Sequence, residues 1–394
     1  MLPKGADVVI IGGGVIGASV AYHISRKKAA VVLLEKSDMA SGTSGACGGH
    51  IFLQSKKPGP HLTLAMESKK RFEHLLQKLD FDTEYRAHGG MIVIERDEEL
   101  ETMRRFAEEQ KRMGLDVSLL DKNDVRQMAP FLSENILGAT YSPLDAQINP
   151  IYLTLAFIRA AKRSGAKIFA HSEAMGIRRM KHKAWSVETA RGTIEATTIV
   201  NAAGVCAPKI GHMIRLEIPI TPRRGQILVT EAAPPMLKHC LLSAKYIQAK
   251  HDPESAKRSG TGVSIEQTGN GNFLLGSTRE FVGFDRSTTW EAIKGIAHRT
   301  AQVIPRLRQL HVIRTFAGLR PYTPDGLPIL GQAEGTEGFF VAAGHEGDGI
   351  ALAPITGELM ADLIVDGRSP MDLRDFRLER FLVTPGAESP PATL

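Results

Sequence analysis

Apolar residues fill the first thirty-five positions in two different rhythms. After Asp7 the run Val-Val-Ile-Ile11 is wholly apolar, a glycine turn follows, and residues from about Val15 to Lys28 repeat with the period of a helix. A second apolar run, Ala30-Val-Val-Leu-Leu34, closes the unit. Strands apolar on both faces belong to a parallel sheet covered on both sides, so the pattern predicts a βαβ unit. Pro60 to Lys78 reads as a helix and Met91-Ile-Val-Ile94 as a strand entered through Gly89 and Gly90. The charge-rich stretch Asp97 to Met113 reads as a helix facing water.

The same alternation returns further on. Pro150 opens a helix to about Ser164 that Gly165 stops, with Lys167-Ile-Phe-Ala170 as a strand beyond it. Thr197 to Asn201 makes a buried strand ending at Ala202-Ala203-Gly204. From Ile218 to Arg279 strands dominate, interrupted by the polar segment His251 to Gly262, which reads as an exposed loop. Phe339 to Ala343, a glycine-rich turn and a helix from Ile350 to Val365 form a last strand–turn–helix unit, and the tail 386–394 reads as frayed.

At 394 residues the chain exceeds twice the ~150 of a typical domain. The expected class is α/β plus α+β, with two interleaved domains. Residues 1–81, 150–212 and 325–385 form a Rossmann-like nucleotide-binding domain. Residues 82–149 and 213–324 form a substrate domain on an antiparallel sheet. No tandem repeat of solenoid length is present, which removes an array from consideration.

Composition excludes several function classes. Hydrophobic residues make up 43% and charged ones 23%, the balance of a globular protein rather than a disordered or fibrous one. The net charge of +6 is scattered, so nucleic acid is not an expected partner, while a mild positive field favours small anionic substrates. Cys47, Cys206 and Cys240 lie far apart with no C-x-x-C pair, which gives neither a disulfide framework nor a zinc or iron–sulfur site and suits a reducing cytoplasm. The thirteen histidines form no metal constellation. The run Val8 to Ile24 follows Asp7, is broken by three glycines and has only Lys4 before it, so it reads as folded strand and helix rather than as a signal peptide or a membrane span.

The sharpest local signal is Gly12-Gly13-Gly14-Val15-Ile16-Gly17, a G-x-G-x-x-G directly after a strand and before a helix. In such a turn Gly12 permits the bend, Gly14 lets a pyrophosphate approach the backbone, and Gly17 lets helix and strand pack closely. The helix start presents N–H groups and about half a positive charge to the phosphate. Glu35 ends the second strand, where a carboxylate accepts from ribose hydroxyls and disfavours a 2′-phosphate. Val15, Ile16 and Lys36 complete this end of the site. The small-residue run Ser41 to Gly49 offers the hydroxyls of Thr43 and Ser44 and, at Gly48, close backbone approach to a bulky planar ligand.

Two later segments carry a resemblance. Phe316-Ala-Gly-Leu-Arg-Pro-Tyr-Thr-Pro-Asp-Gly-Leu-Pro-Ile-Leu-Gly331 and Ala342-Ala-Gly-His-Glu-Gly-Asp-Gly-Ile350, with the N-terminal fingerprint, are similar to the D-amino-acid oxidase (DAO) family of flavoproteins. Within it they resemble the branch of glycine oxidase, sarcosine oxidase β-subunit and the proline and hydroxyproline dehydrogenase β-subunits. The resemblance runs from about residue 7 to 367 and implies a glutathione-reductase-type fold around non-covalent FAD. It implies that Gly344, His345, Gly347, Gly349 and Ile350 face the pyrimidine end of the flavin, that Ala174, Ala203 and Gly204 lie at the adenine end, and that Arg320 holds a substrate carboxylate. A guanidinium fork suits that task because it fixes a planar carboxylate in orientation as well as position.

The match has departures. The strand that carries a pocket tyrosine in glycine oxidase-like enzymes here reads Gly262-Val-Ser-Ile-Glu-Gln267, with Tyr246 and Tyr322 as candidate substitutes and His50 as a further pocket residue. The cysteine that tethers flavin in monomeric sarcosine oxidases has no counterpart after Cys240. Their lysine near flavin N5 is missing from Asn272-Phe-Leu-Leu-Gly276, which implies a weak reaction with oxygen. Cys47 reads as a small buried hydrophobe. The expected activity is oxidation of the C–N bond of a small amino or imino acid by hydride transfer to FAD. Oxygen or a partner subunit with further redox groups would accept the electrons, in a homo- or hetero-oligomer. The alternative is a catalytically silent FAD-binding scaffold.

Overall fold

The computed structural model describes residues 1–181, 184–251 and 262–381. The expected loop between His251 and Gly262 and the tail 386–394 lie outside the described residues, although His251 itself closes a helix. Two large sheets carry the architecture.

The first sheet is built on β1 (Gly5–Ile11), β2 (Val31–Leu34), β8 (Lys167–Phe169), β11 (Gly192–Asn201) and β18 (Phe339–Ala343), all parallel in the order β18-β11-β1-β2-β8. An antiparallel edge strand, β17 (Ile329–Gln332), flanks β18, and an arm of β9 (Gly176–Arg179) and β10 (Trp185–Thr189) extends from β11. Alternate residues enter different cores. Val8 and Ile10 pack with Val31 and Leu33 under helices α1 (Val15–Arg26), α2 (Pro60–Leu79), α5 (Pro150–Arg163) and the long α9 (Gly349–Val365). Val9, Ile11, Val32 and Leu34 pack on the other side against the β9–β10 arm and α6 (Ala207–His212). Each such aliphatic side chain contributes roughly 1.5–3 kcal/mol by leaving water, so the continuous apolar strands are explained by burial on both faces.

The second sheet runs β16 (Val312–Tyr322), β12 (Thr221–Ala232), β15 (Asn272–Gly276), β14 (Ser264–Gln267), β13 (Cys240–Ser243), β4 (Gly90–Ile94), β6 (Gly138–Ser142) and β5 (Ser118–Leu120). Its pairs are antiparallel except β13 with β4. One face packs Leu228, Ile265, Phe273 and Leu275 on Ile296 and Val303 of α8 (Trp290–Val303). Toward β4 the other face packs on α3 (Asp97–Arg112) and α7 (Ala244–His251); toward β16 it roofs a cavity. A short ribbon of β3 (His50–Ile51) and β7 (Ala146–Gln147) ties the two halves together. Between β5 and β6 lies α4 (Lys122–Met128), closed by an Asp121–Asp124 capping box.

Helices α7 and α8 are among those the sequence reading did not place. Ala244–His251 is α7 rather than strand, because Ala244 and Ile247 turn onto the sheet at helical spacing. Thr289 starts α8 by accepting a hydrogen bond from the Ala292 N–H at 3.4 Å, a start signal present in the sequence. In α5 Asn149 does the same for Ile151 and Tyr152, just ahead of Pro150, as the proline implied for that helix.

The close approach of α1 to the sheet has a single-residue test. A Cβ at Gly17 would lie 2.0 Å from the Gly12 carbonyl oxygen, backbone that has no room to yield. Gly17→Ala is expected to lower stability by about 1–3 kcal/mol, read as a lower urea midpoint; a wild-type midpoint would contradict the packing described.

Candidate active site

A long cavity runs from the glycine turn after β1, past the small-residue segment 41–48, to the face of the second sheet. Gly14 caps α1 without a side chain, no acidic residue stands in the first turn, and the Val15 N–H donates to Ser44 Oγ at 3.0 Å. The positive end of α1 therefore reaches the cavity unneutralised. Glu35 holds this wall together: its oxygens accept from the Gly13 N–H at 2.7 Å and the Ser37 N–H at 2.8 Å. A carboxylate has about four acceptor sites, so capacity remains for hydroxyl groups in the cavity.

At the other end β16, β12, β15 and β14 present one face to the cavity, and Gly318, Arg320, Gly225, Ile227, Leu274, Gly276, Ser264 and Glu266 point into it. The Arg320 guanidinium lies flat across Gly225, where a Cβ would sit 2.4 Å from both terminal nitrogens. It donates to Ser277 Oγ at 2.8 Å and to the Thr278 carbonyl at 3.0 Å, with Nε 3.9 Å from Glu346. Glu266 stands on the same face, 3% exposed, accepting from the Gly49 N–H at 3.0 Å on each oxygen, with His50 Nε2 3.2 Å away. Burial pushes its carboxyl up to about 7, against the pull of that N–H.

The turn before α9 carries the densest charge. Glu346 pairs with Arg223 and, at 3.1 Å, with Arg279. Burial works to raise its carboxyl, yet Arg223, Arg279 and Arg320 hold it well below the usual range. Two residues on, Asp348 takes Lys56 at 2.6 Å, Lys250 at 2.8 Å and His61 at 3.0 Å. Burial opposes its ionisation too, but Lys250, Lys56 and His61 keep it charged. Burial lowers Lys250 to about 8.

Most of the residues singled out in the sequence come together on this cavity. At the α1 end these are Gly12, Gly14, Val15, Ile16, Glu35, Lys36, Thr43, Ser44 and Gly48; at the adenine end Ala174, Ala203 and Gly204; at the α9 end Gly344, His345, Gly347, Gly349 and Ile350, with Arg320 and His50. Gly17 stands behind the wall as a packing residue. His345 lines the cavity, but its ring is tied to Thr356 Oγ1 at 3.0 Å and burial drops it to about 3, so it is a neutral anchor for the turn.

Tyr322 is the misplaced expectation. Two residues beyond Arg320, β16 has passed the cavity, and the Tyr322 ring lies 4.5 Å from the Arg223 guanidinium in a separate cavity behind Glu346. Tyr246 does reach the main cavity, from α7. Cys47 is a thiol there, raised to about 12 by burial and by Glu266. Among the described residues no cluster of His, Cys, Asp and Glu could hold a metal ion, and no helix is long and apolar enough to cross a membrane.

Comparison with known proteins decides the family. Residues 7–363 match the model described as DAO, FAD dependent oxidoreductase. The chain belongs to the DAO family of FAD-dependent oxidoreductases. It is 30% identical to glycine oxidase of Geobacillus kaustophilus over 97% of this chain and 99% of that protein, and the crystal structure of that enzyme superposes with a TM-score of 0.88. It is 30% identical to hydrogen cyanide synthase subunit HcnC of Pseudomonas protegens, covering 98% and 99% of the two chains. The structure of L-proline dehydrogenase from P. horikoshii, 26% identical, superposes with a TM-score of 0.88 over 97% of this chain and 99% of that one.

The donor set fits the family's cofactor. Two helix starts, those of α1 and α9, open on the cavity with no acidic residue in the first turn; Ser44 takes one N–H of α1, and the Asp348 carboxylate at the start of α9 is engaged by Lys56 and Lys250. Such ends suit a pyrophosphate and an anionic ring edge. Among the cavity residues overlooked in the sequence are Glu266, Ser264, Ser277 and Glu346, and the ion pairs behind them add Arg223, Arg279, Asp348, Lys56 and Lys250. Glu346 and Asp348 occupy variable positions of the G-H-x-x-x-G turn, and the alternation of Ser264 and Glu266 around the apolar Ile265 was the available signal for Ser264 and Glu266.

Glu346→Gln is expected to cost about 3–5 kcal/mol at neutral pH, because it leaves buried guanidinium groups without a countercharge. The carboxyl is depressed in the fold, so its contribution is complete above its ordinary value of 4.5 and fades as pH falls below it. The gap between wild-type and variant urea midpoints should therefore narrow in acid; a gap that widened would contradict the assignment.

Proposed function

We propose that this DAO-family enzyme oxidises the C–N bond of a small amino or imino acid whose carboxylate is held by Arg320. The observation that carries the reading is the Arg320 guanidinium spread over Gly225, fastened along one edge by Ser277 and the Thr278 carbonyl and largely buried at 13% exposure. A guanidinium positioned in this way orients a planar anion through charge-assisted bonds of roughly 1.5–3 kcal/mol. FAD, when bound, supplies the two-electron oxidant. Glycine oxidase and L-proline dehydrogenase act on amino acids, which supports the substrate class. Non-covalent FAD is the expected mode, because the cysteine that tethers flavin in monomeric sarcosine oxidases has no counterpart after Cys240.

The chain's own residues do three things. Arg320 fixes the carboxylate, Ile227 and Leu274 give the cavity an apolar roof, and the Gly344–Gly349 turn brings the start of α9 to the cavity, where its N–H groups would stabilise the negative charge of a reduced flavin. Electrons leave for oxygen or for a partner subunit.

Anaerobic mixing of the FAD-loaded protein with glycine, sarcosine, D-alanine, L-proline and hydroxyproline should bleach the oxidised-flavin absorbance with at least one of them. Arg320→Met should lower kcat/KM for that substrate at least ~10-fold, about 1.4 kcal/mol, with FAD retained. An unchanged value would remove Arg320 from the reading.

A further inference from the structure

One carboxyl in the cavity has no role in what has been described so far. Glu266 is almost wholly enclosed, and among the described residues no lysine or arginine lies within ion-pairing distance of it; its close polar neighbours are the Gly49 N–H and His50 Nε2. A carboxylate buried without a cation is costly, and such groups persist where a ligand brings the missing charge.

Its position says where that charge comes from. On β14, Ile265 enters the core while Ser264 and Glu266 face the cavity. Along the ladder Glu266 stands opposite Leu274, and Ser277, which holds the Arg320 guanidinium, lies three residues beyond on the same chain. β15 ends at Gly276, two residues or roughly 7 Å along at ~3.4 Å per residue, and Ser277 follows it directly. An amine and a carboxylate on one carbon, with a hydrogen bond of ~2.9 Å at each end, span a comparable gap. One sheet face thus offers a cation at one end and a carboxyl at the other.

We infer that Glu266 binds the substrate's ammonium group and takes its proton, so that Arg320 and Glu266 together read an α-amino acid at both ends. The inference rests on the proposed function above and extends it. A protonated nitrogen has no lone pair with which to form C=N. In the step assigned here an N–H bond breaks, its electron pair stays on nitrogen, and the proton forms an O–H bond on Glu266. The Cα–H bond then breaks with its pair reducing FAD by two electrons as C=N forms, and Glu266 returns its proton to water after the product leaves.

Two other groups near Glu266 change charge around neutrality: Asp145, across Cys240, is raised to about 7 by burial, and Lys250, held by Asp348, is lowered to about 8; the remaining ones hold their charge there. From the 47–51 segment, burial and Lys56 hold His50 down at about 4, and burial with Glu266 keeps Cys47 a thiol. On the neighbouring β13, burial keeps Cys240 a thiol. Arg320 faces it across the sheet and stays a cation, Tyr246 reaches in from α7, and Lys56 and Lys250 are engaged by Asp348.

Two measurements on the FAD-loaded protein test this. Acetate, a carboxylate without an amine, is titrated against the visible flavin spectrum on both sides of pH 7. In the wild type its affinity should weaken several-fold as pH rises through about 7 and Glu266 becomes an anion, and in Glu266→Gln that several-fold step should be lost, leaving only the smaller change due to Asp145 and Lys250. A pH dependence that survives undiminished in the variant overturns the proposal. Second, kcat/KM for the amino acid that bleaches the flavin should fall on the acid side near the same pH. Glu266→Gln should lower it roughly a hundredfold at pH 7 and move that limb up to the free ammonium's own ionisation, whereas Glu266→Asp keeps the limb near neutrality. An unmoved limb likewise overturns it. Acetate binding that persists in Arg320→Met would instead bring down the carboxylate reading, so the two failures are distinct.

Discussion

Three arginines gathered around one enclosed carboxylate are the interaction on which the site stands. Arg223, Arg279 and Arg320 come from three different strands or strand ends, and Glu346 belongs to the turn that starts α9 in the other half of the molecule. Desolvating a guanidinium costs several kcal/mol, and the attraction to Glu346 in a poorly screened setting is what offsets it. Remove the carboxylate and the arginines have reason to repel one another and turn to water. The same ion cluster that keeps Arg320 in the cavity therefore also joins the second sheet to the start of α9.

That coupling explains why charge is so unevenly distributed. The chain as a whole is close to neutral for its size, yet Arg223, Arg279, Arg320, Lys56 and Lys250 are clustered against only Glu346 and Asp348 around one turn. The surplus is positive, and it lies beside a cavity whose expected occupants, a pyrophosphate, a carboxylate and a reduced ring, are all anions. Glu266 stands apart from this cluster, one part of the roof where a positive group on the ligand is welcome.

Local features could be read from the sequence and long-range ones could not. The glycine turn, the helix after it and Glu35 lie within thirty residues and obey rules of spacing, so strand, turn and helix appear where periodicity placed them. Arg320 was found through a motif long enough to be specific. Glu266 was passed over because its meaning depends on β14 lying beside β15, with Gly49 and His50 brought from two hundred residues away. Tyr322 failed for a simple reason: two residues of extended strand carry a side chain about 7 Å, which is the width of a substrate. The helix α7 was hidden because Ala244-Lys-Tyr-Ile-Gln-Ala-Lys-His251 carries too few apolar residues for a period of 3.6 to stand out from a period of 2.

Gly225 bears on how the pocket could be reshaped. What the sheet provides there is a missing methyl, a trough into which a flat cation settles. Directed evolution toward new amines would gain little by sampling that codon, since any gain in bulk evicts the anchor itself. Diversity is better spent at Ser264, Leu274 and Arg286, where the lining can swell or recede while the trough stays open.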